Sequence, residues 1–327
     1  MRGSSRVDSL ASVESLVAFW SSVGSCVGYN KCCELETVTG RRVDMELIAP
    51  DFLRLTSSCV ASRSDWWLTD ANRSFGGQTV AFSLVAASRK SPKNFSLHSL
   101  HLHFLRPGRC VDTHFVVEEV RVGRTYAVYR CMAVEYDDDD QERLVAISMI
   151  SFCRAEPKCS AWSMHADALP VVTRPPPPGF SSKLDAESSW PRTSPADDSG
   201  CMWYMTWAGY GAGDGAGNQL SSESSPIAHA AALAFLSDHQ FLWAGFVSNS
   251  KCYRQYDHVM SASLDHVFYL HEPSFDASGL LLYETESPWL ASGRTFVRGK
   301  IWSVDSGKLI ASTVQEAVFR VRPKSKL

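Results

Sequence analysis

"GGQTVAFSLVAASRK" at residues 76–90 and "PIAHAAALAFLSD" at residues 226–238 decide the predicted fold. Both stretches carry small and apolar residues on nearly every side of a helix, and a helix that is apolar all round is buried all round. β-branched and aromatic runs with turn signals between them follow the first stretch and predict strands at residues 97–105, 113–122, 125–135 and 144–152. This pattern predicts an α+β unit in which a curved antiparallel sheet wraps one long buried helix.

A weak internal repeat predicts a second copy of this unit. Three segments of the first half recur in order in the second half: "SLHSLHLHFLRP" (96–107) as "ASLDHVFYLHEP" (262–273), "GRTY" (123–126) as "GRTF" (293–296), and "LVAISMISF" (144–152) as "LIASTVQEA" (309–317). The offsets are 166 (273 minus 107), 170 (293 minus 123) and 165 (309 minus 144). One buried helix wrapped by a curved sheet, present twice, is the architecture called a double hotdog.

The composition of the remaining segments predicts the domain boundaries. "TRPPPPGF" and the Ser/Asp/Pro-rich run after it cannot form a helix or a central strand. We therefore expect five segments: an N-terminal helix or tail at 1–40, a first hotdog unit at 41–156, a Pro/Ser-rich linker at 157–200, a second hotdog unit at 201–323, and a C-terminal tail at 324–327.

Charge and composition argue against several classes of function. The chain has 32 basic and 35 acidic residues, a formal net charge of -3, and no stripe of Lys and Arg with interleaved aromatic residues that would mark a nucleic-acid surface. Its best apolar run, "IAHAAALAFL" at residues 227–236, is shorter than the roughly 18 residues that a membrane span needs. The ten Cys residues include no C-x-x-C pair and are expected to be free thiols in a reducing compartment.

Two groups of polar residues resemble metal ligands but have simpler interpretations. His98, His101 and His103 lie in one predicted strand without a carboxylate or Cys at suitable spacing, so we expect core or surface histidines. The acidic run at residues 137–140 lies between two predicted strands. We expect it to be a solvated hairpin tip, with an acidic metal site as the alternative. The sequence therefore predicts no metal and no other cofactor.

Two polar residues occupy positions where their side chains are energetically unfavourable. Strand alternation puts Gln315 on the more apolar face of the last predicted strand. A buried amide without hydrogen-bond partners costs roughly a kcal/mol or more, so Gln315 either pairs inside the core or holds a ligand or water. Asp238 follows the second predicted helix, at the end where the helix dipole disfavours a carboxylate. A solvated, helix-ending carboxylate is the simpler alternative for Asp238.

Six segments in order resemble the signature segments of type II acyl-CoA thioesterases, and of the peroxisomal members in particular. These segments are "RSFGGQTVAFSLVAAS", "LHSLHLHFLRPG", "AALAFLSDHQFL", "SASLDHVFYLHEP", "YETESPWLASGRTFVRG" and "ASTVQEAVFRV", and they span about residues 74–322. The resemblance implies a double hotdog that hydrolyses acyl-CoA thioesters, such as fatty acyl-CoA, to free CoA and a carboxylic acid without a cofactor.

The resemblance also implies a catalytic trio of Asp238, Ser263 and Gln315. Asp238 would deprotonate a water molecule that Ser263 and Gln315 orient, and the water would attack the thioester carbonyl. No G-x-S-x-G elbow is present, so Ser263 is interpreted as a water-positioning hydroxyl and not as a nucleophile. By the repeat offsets, Leu97 and Ile150 take the places of Ser263 and Gln315 in the first unit. This asymmetry predicts one active site, with structural drift of the two copies as the alternative.

Three further residues are candidates for substrate binding. The backbone N–H groups of Gly76 and Gly77 are candidates for stabilising the oxyanion, or the two glycines simply permit a tight turn and close packing at the helix start. Phe82 stands where the family usually has a glutamine, and it either reshapes an acyl tunnel or packs in the core. His266 directly follows Asp265, and neighbours in a strand point to opposite faces, so we expect no His/Asp dyad.

The last three residues, Ser325, Lys326 and Leu327, form the peroxisomal address that an import receptor reads together with a free carboxylate. The expected location is the peroxisome, and the expected partners are acyl-CoA and this receptor, with self-association left open. Three other functions remain as alternatives: a thioesterase for a specialised, polyketide-like acyl-CoA, which the unusual insertion at residues 209–225 allows, a hotdog enoyl-CoA hydratase, and a non-catalytic acyl-CoA binder.

Overall fold

The computed structural model describes residues 73–109, 113–137, 139, 141–154, 169–170, 225–239, 241–242, 244–245 and 255–324, and the backbone alone at residues 56–57, 192–193 and 200–206. The predicted segment 1–40, the address at residues 325–327, and most of the linker and of the 209–225 insertion lie outside these residues. The boundaries of the five predicted segments therefore stay predictions.

The elements alternate between one long helix and a set of strands, twice along the chain. In chain order they are β1 (Thr56–Ser57), α1 (Gly76–Ser88), β2 (Phe95–Phe104), β3 (Thr113–Val122), β4 (Tyr126–Tyr136), β5 (Glu142–Arg154), β6 (Arg192–Thr193), β7 (Gly200–Thr206), α2 (Pro226–Leu236), β8 (Tyr256–Ser263), β9 (Asp265–Leu270), β10 (Leu280–Ala291), β11 (Arg294–Ser303) and β12 (Leu309–Pro323). Both predicted helices and the four predicted strands of the first unit are confirmed, with boundaries that differ by a few residues.

The described strands form one continuous antiparallel sheet in the order β1-β3-β4-β5-β2-β9-β12-β11-β10-β7-β6, with β8 also paired to β12. The two units meet edge to edge at β2 and β9, where Ser99 pairs with Tyr269 and His103 pairs with Asp265. Each unit wraps its own helix, so the predicted α+β double hotdog is confirmed.

The two helices lie in the core and contact each other near the junction of the units. Ten of the 13 residues of α1 are buried, as expected for a helix that is apolar on every side. A Cβ at Gly77 would lie 2.6 Å from the carbonyl oxygen of Phe235, so only a glycine lets the chain approach this closely. The beginning of α1 is therefore held against the end of α2, close to Asp238.

The two helices begin differently. The side chain of Ser225 caps α2 by accepting a hydrogen bond from the backbone N–H of Ala228, and Pro226 occupies the first turn. Phe75 precedes α1 and provides no side-chain cap. The first N–H groups of α1 therefore depend on acceptors outside the helix, and one of them finds its acceptor at the site described below.

The first unit is filled by apolar side chains at the positions that its sequence predicts. Leu97 and Ile150 are buried there, and the ring of Phe82 packs against the ring of Phe115 with 5.7 Å between centroids. Phe82 thus packs in the core, and its effect on an acyl tunnel stays a prediction. At the β4–β5 connection, the side chain of Asp137 accepts hydrogen bonds from backbone N–H groups inside the turn, which confirms the hairpin tip.

No helix among the described residues is both long enough and apolar enough to cross a membrane.

Candidate active site

Three elements of the second unit bring the predicted trio together. Asp238 lies two residues beyond the end of α2, Ser263 ends β8, and Gln315 lies in the middle of β12. The side-chain amide of Gln315 joins the other two: its Nε2 donates to Asp238 Oδ1 at 3.1 Å and to Ser263 Oγ at 2.6 Å. These three side chains, which lie far apart in the sequence, therefore form one hydrogen-bonded group.

Alternation along β12 accounts for the position of Gln315. The side chains of Thr313, Gln315, Ala317 and Phe319 are buried, while those between them are partly exposed. The predicted inward face is thus confirmed over this stretch. Gln315 bonds to protein groups at both ends of its amide, so the pairing that a buried amide requires is present. Its role in orienting a water molecule stays a prediction.

Burial changes the chemistry of Asp238. Its side chain is nearly inaccessible, with 8% of the residue exposed. Burial disfavours the charged form and raises the pKa of Asp238 to about 7, although hydrogen bonds from Gln315 and from the backbone N–H of Gly77 oppose this rise. A carboxyl group with this pKa exchanges a proton readily near neutral pH, as a general base must.

The first unit contributes to the site through the beginning of α1. The backbone N–H of Gly77 donates to the carboxylate of Asp238, and a Cβ at Gly76 would lie 2.7 Å from Asp238 Oδ2 and 3.0 Å from the ring of Phe104. The carboxylate thus lies at the positive end of the α1 dipole, on the junction between the units. The oxyanion role of Gly76 and Gly77 stays a prediction, and the N–H of Gly77 already has Asp238 as a partner.

A shift of register between β8 and β9 explains why strand alternation does not predict the position of His266. Ser263 pairs with Ala317 and Val267 pairs with Val314, so four steps along β8–β9 (267 minus 263) face three steps along β12 (317 minus 314). The extra residue reverses the alternation at Leu264. As a result, both Ser263 and His266 face Gln315, although sequence parity puts them on opposite faces.

His266 is fully buried behind Gln315. Its Nδ1 lies 3.1 Å from Gln315 Oε1, and its Nε2 lies 2.9 Å from the hydroxyl oxygen of Ser237. Burial lowers the pKa of His266 to about 4. The neighbouring Asp265 instead accepts a hydrogen bond from the backbone N–H of Glu316, so the prediction that the two adjacent residues form no dyad is confirmed.

Tyr283 supports the segment that carries Asp238. Its hydroxyl donates to the backbone carbonyl of Ser237 at 2.6 Å and contacts the hydroxyl of Thr313 at 3.0 Å. The ring stacks on Phe241 with 5.6 Å between centroids. Burial and the nearby Asp238 raise the pKa of Tyr283, so this phenol remains protonated and keeps its hydrogen bond.

The histidines of β2 lie on the other face of the sheet. His101 and His103 are exposed, and His98 contacts the hydroxyl of Ser151. Within the described ranges, no group of three or more His, Cys, Asp or Glu residues has the geometry to hold a metal ion.

The double hotdog, with a buried carboxylate and amide and a partly buried hydroxyl in one unit, matches a known class of proteins. The family model for the acyl-CoA thioesterase N-terminal domain matches residues 63–153, and the model for the acyl-CoA thioesterase C-terminal domain matches residues 164–319. The chain therefore belongs to the type II acyl-CoA thioesterase family, as its sequence segments indicate.

Individual relatives cover most of the chain. Acyl-coenzyme A thioesterase 8 of Homo sapiens is 28% identical over 293 residues, which cover 79% of this chain and 84% of the relative. Acyl-CoA thioesterase 2 of Haemophilus influenzae is 26% identical over 272 residues, covering 75% and 87%. The crystal structure of acyl-CoA thioesterase II TesB2 from Mycobacterium marinum superposes with a TM-score of 0.63 at 27% identity, covering 85% of this chain and 96% of that one.

Proposed function

We propose that this protein hydrolyses acyl-CoA thioesters to free CoA and a carboxylic acid, with Asp238 as the general base. The observation that carries the proposal is the Gln315 amide, which bridges a buried carboxylate of raised pKa and a hydroxyl. Membership of the acyl-CoA thioesterase family supports the substrate class.

In the proposed reaction, ionised Asp238 takes a proton from a water molecule as the water oxygen attacks the thioester carbonyl carbon. Ser263 accepts a hydrogen bond from Gln315, so its own O–H is left to donate to the water or to the carbonyl oxygen. The tetrahedral intermediate then expels the CoA thiolate, which takes the proton back from Asp238. The carboxyl group returns to its ionised form, and no cofactor enters the reaction.

The buried histidine argues against the enoyl-CoA hydratase alternative. His266 Nδ1 lies 3.9 Å from Asp238 Oδ1, so the second unit does bring a histidine close to an aspartate. However, the ring is inaccessible, and both of its nitrogens contact protein groups. A histidine in this position does not reach a substrate to donate a proton, so the water chemistry falls to Asp238.

The first experiment measures release of CoA thiol from short, medium, long and branched acyl-CoAs by the wild type and by Asp238→Asn. Loss of the general base should lower kcat by about 10³-fold, while the melting temperature stays near that of the wild type. The panel also ranks chain lengths and separates fatty from polyketide-like substrates.

A panel of enoyl-CoAs is the matched control, because hydration releases no thiol. Hydration without hydrolysis would replace the proposal with the hydratase alternative. Tight acyl-CoA binding without turnover would replace it with the non-catalytic binder. Unchanged hydrolysis by Asp238→Asn would support the reaction but show that Asp238 is not its general base.

The peroxisomal location and the import receptor stay predictions, since Ser325, Lys326 and Leu327 lie outside the described residues. A fluorescent protein fused to the N-terminus should enter peroxisomes, and deletion of Leu327 should disperse it in the cytosol while hydrolysis in vitro is unchanged. Continued import of the shortened chain would show that Ser325, Lys326 and Leu327 are not the import signal.

A further inference from the structure

The mechanism proposed above does not use the buried histidine behind Gln315. We propose that His266 is a positioning residue that fixes the orientation of the Gln315 amide and thereby favours the ionised form of Asp238. The inference rests on the proposed hydrolysis and adds a residue that acts only through its neighbours. Its basis is the contact of Nδ1 with Gln315 Oε1 at 3.1 Å and of Nε2 with Ser237 Oγ at 2.9 Å.

The orientation of the amide follows from the available donors. An ionised carboxylate only accepts hydrogen bonds, so Asp238 must face the NH₂ group of Gln315. The carbonyl oxygen of Gln315 then faces His266, and a carbonyl oxygen also only accepts. When Asp238 is ionised, Nδ1 of His266 must therefore carry a proton.

The second nitrogen of the ring completes this arrangement. The buried ring is neutral near pH 7, because its pKa is lowered to about 4. A single proton on Nδ1 leaves Nε2 as an acceptor, and the hydroxyl of Ser237 is its donor. Ser237 directly follows α2, and its hydroxyl also lies within donating distance, 2.7 Å, of the carbonyl oxygen of Ala234. A hydroxyl has one proton, so it donates either to Ala234 or to Nε2. While it donates to Ala234, it can only accept from Nε2, so the ionised form of Asp238 requires this hydroxyl to turn from Ala234 to Nε2. His266 is thus anchored to the segment that carries Asp238.

The other tautomer would reverse the network. With the proton on Nε2, Nδ1 would accept, and the NH₂ group of Gln315 would turn toward it. The carbonyl oxygen of Gln315 would then face Asp238, and two acceptors in contact are stable only if the carboxyl group holds a proton. The Nδ1 tautomer of His266 therefore favours the form of Asp238 that deprotonates water.

The titratable groups around Asp238 are few among the described residues. His266 faces it from β9 and Tyr283 faces it from β10, and His239 follows it in the chain. Burial keeps His239 and His266 neutral near pH 7 and keeps Tyr283 protonated. The residues of α1 and β12 that contact the carboxylate, Gly77 and Gln315, do not titrate. Between pH 6 and 8, Asp238 is therefore the group of this cluster whose charge changes.

The test compares two amide substitutions of one residue. In His266→Asn the side-chain amide nitrogen occupies the place of Nδ1 and can still donate to Gln315. In His266→Gln the amide lies near the place of Nε2 and can still bond to Ser237, while the contact with Gln315 is lost. His103→Asn, which changes an exposed histidine of β2, is the control. The measurements are kcat, KM, the pH profile of kcat/KM and the melting temperature.

The wild-type profile should rise with pH through about 7, because activity requires ionised Asp238. His266→Gln should lower kcat by about 10- to 100-fold with little change in KM. It should also move the acid limb up by about one pH unit, since the hydrogen bond from Gln315 that lowers the pKa of Asp238 is no longer held. His266→Asn should keep the acid limb of the kcat/KM profile at the wild-type pH.

Ser237→Ala provides a second test that keeps the ring in place. It removes the donor that the Nδ1 tautomer requires, so the acid limb of the pH profile should move up by a smaller amount than in His266→Gln. A downward move would show that the hydroxyl accepts from Nε2 and would overturn the inference. If the His266 variants do not fold, an unchanged limb in Ser237→Ala overturns the inference. Equal losses in His266→Asn and His266→Gln would also overturn it, because they would indicate a packing role.

Failure of the inference differs from failure of the proposed function. If the wild type releases no thiol from any acyl-CoA, the proposed function fails and the inference fails with it. If the wild type is active, Asp238→Asn is inactive and both His266 variants retain wild-type kcat and pH profile, only the inference fails.

Discussion

Among the residues that the structure describes, each hotdog unit buries one carboxylate in its core, and the surroundings of the two carboxylates are opposite in character. In the first unit, Glu135 accepts a hydrogen bond from the backbone N–H of Arg109 at 2.8 Å and contacts the guanidinium groups of Arg109 at 3.2 Å and of Arg143 at 2.6 Å. In the second unit, Asp238 receives N–H donors from Gln315 and Gly77. No Lys or Arg of the described residues pairs with Asp238.

This difference distinguishes a structural carboxylate from the proposed general base. Glu135 is compensated by two cations, which also bond to the carbonyl oxygens of Pro107 and Tyr136 and hold the loop after β2 in place. Asp238 has dipoles without a full opposite charge, so burial raises its pKa to about 7. A buried carboxylate that is fully paired with cations stays ionised and stabilises the fold around it. A buried carboxylate that is only partly compensated can accept and release a proton near neutral pH.

The largest expected effect comes from replacing Gln315 in the last strand of the second unit by the residue found at the corresponding place in the first unit. Gln315→Ile introduces the side chain that Ile150 provides at the corresponding place, and isoleucine suits a buried strand. It removes the donors to Asp238 and Ser263, so kcat should fall by about 10²- to 10³-fold. Thiol release from the best acyl-CoA of the panel measures this loss.

Ile150→Gln is the reciprocal control. It places an amide in an apolar core without the partners that Gln315 has, so it should destabilise the protein by about 1–3 kcal/mol and leave kcat of the folded protein unchanged. Full activity in Gln315→Ile would show that the bridge between Asp238 and Ser263 has no role in turnover.

The next effect concerns stability and distinguishes the two carboxylates. Glu135→Gln removes the charge between Arg109 and Arg143, and should lower the free energy of unfolding by about 2–4 kcal/mol. This loss is smaller than that expected for a fully buried ion pair, because both arginine side chains are partly exposed. Urea unfolding followed by circular dichroism measures the change.

Asp238→Asn should show the opposite behaviour to Glu135→Gln: its kcat should be lost, while its free energy of unfolding should stay close to that of the wild type. A Glu135→Gln variant that unfolds at the wild-type urea concentration would show that the arginine pair does not stabilise the first unit. Loss of kcat in folded Glu135→Gln would link this cluster to the site, which the structure gives no reason to expect.

Much of the fold was predictable, because its signals are regular. Residues 76–88 and 226–236 are apolar on every side, and such helices must be buried wherever they lie. The repeat of three segments in one order then predicted two units. The edge-to-edge joining of β2 to β9 was not predictable, since both edges carry similar strands and the pairing is decided by tertiary contacts.

The site was predictable only in part. Asp238, Ser263 and Gln315 were identified from the family resemblance, and alternation alone indicated the burial of Gln315. His266 was missed because one extra residue at Leu264 reverses the strand parity, and no periodicity reveals such a shift. The contact of the Gly77 N–H with Asp238 was not predictable either, because the sequence does not say that α1 begins beside Asp238.

The smallest expected effect tests whether the first unit contributes to catalysis. A Cβ at Gly76 would lie 2.7 Å from Asp238 Oδ2, closer than nonbonded atoms approach, so Gly76→Ala should push the carboxylate away by a few tenths of an ångström. Small displacements of a catalytic group are costly, and we expect kcat to fall about 10-fold with KM nearly unchanged.

Gly279→Ala is the matched control, because its Cβ would lie 3.2 Å from a carboxylate oxygen of Asp305, an exposed residue in the second unit. That carboxylate can move into solvent, so neither kcat nor stability should change. Wild-type kcat in Gly76→Ala would mean that Asp238 adjusts without loss, and the second unit would then hold the whole of the catalytic site. A 10-fold loss confined to Gly76→Ala would instead show that a unit without its own trio still positions the carboxylate of its neighbour.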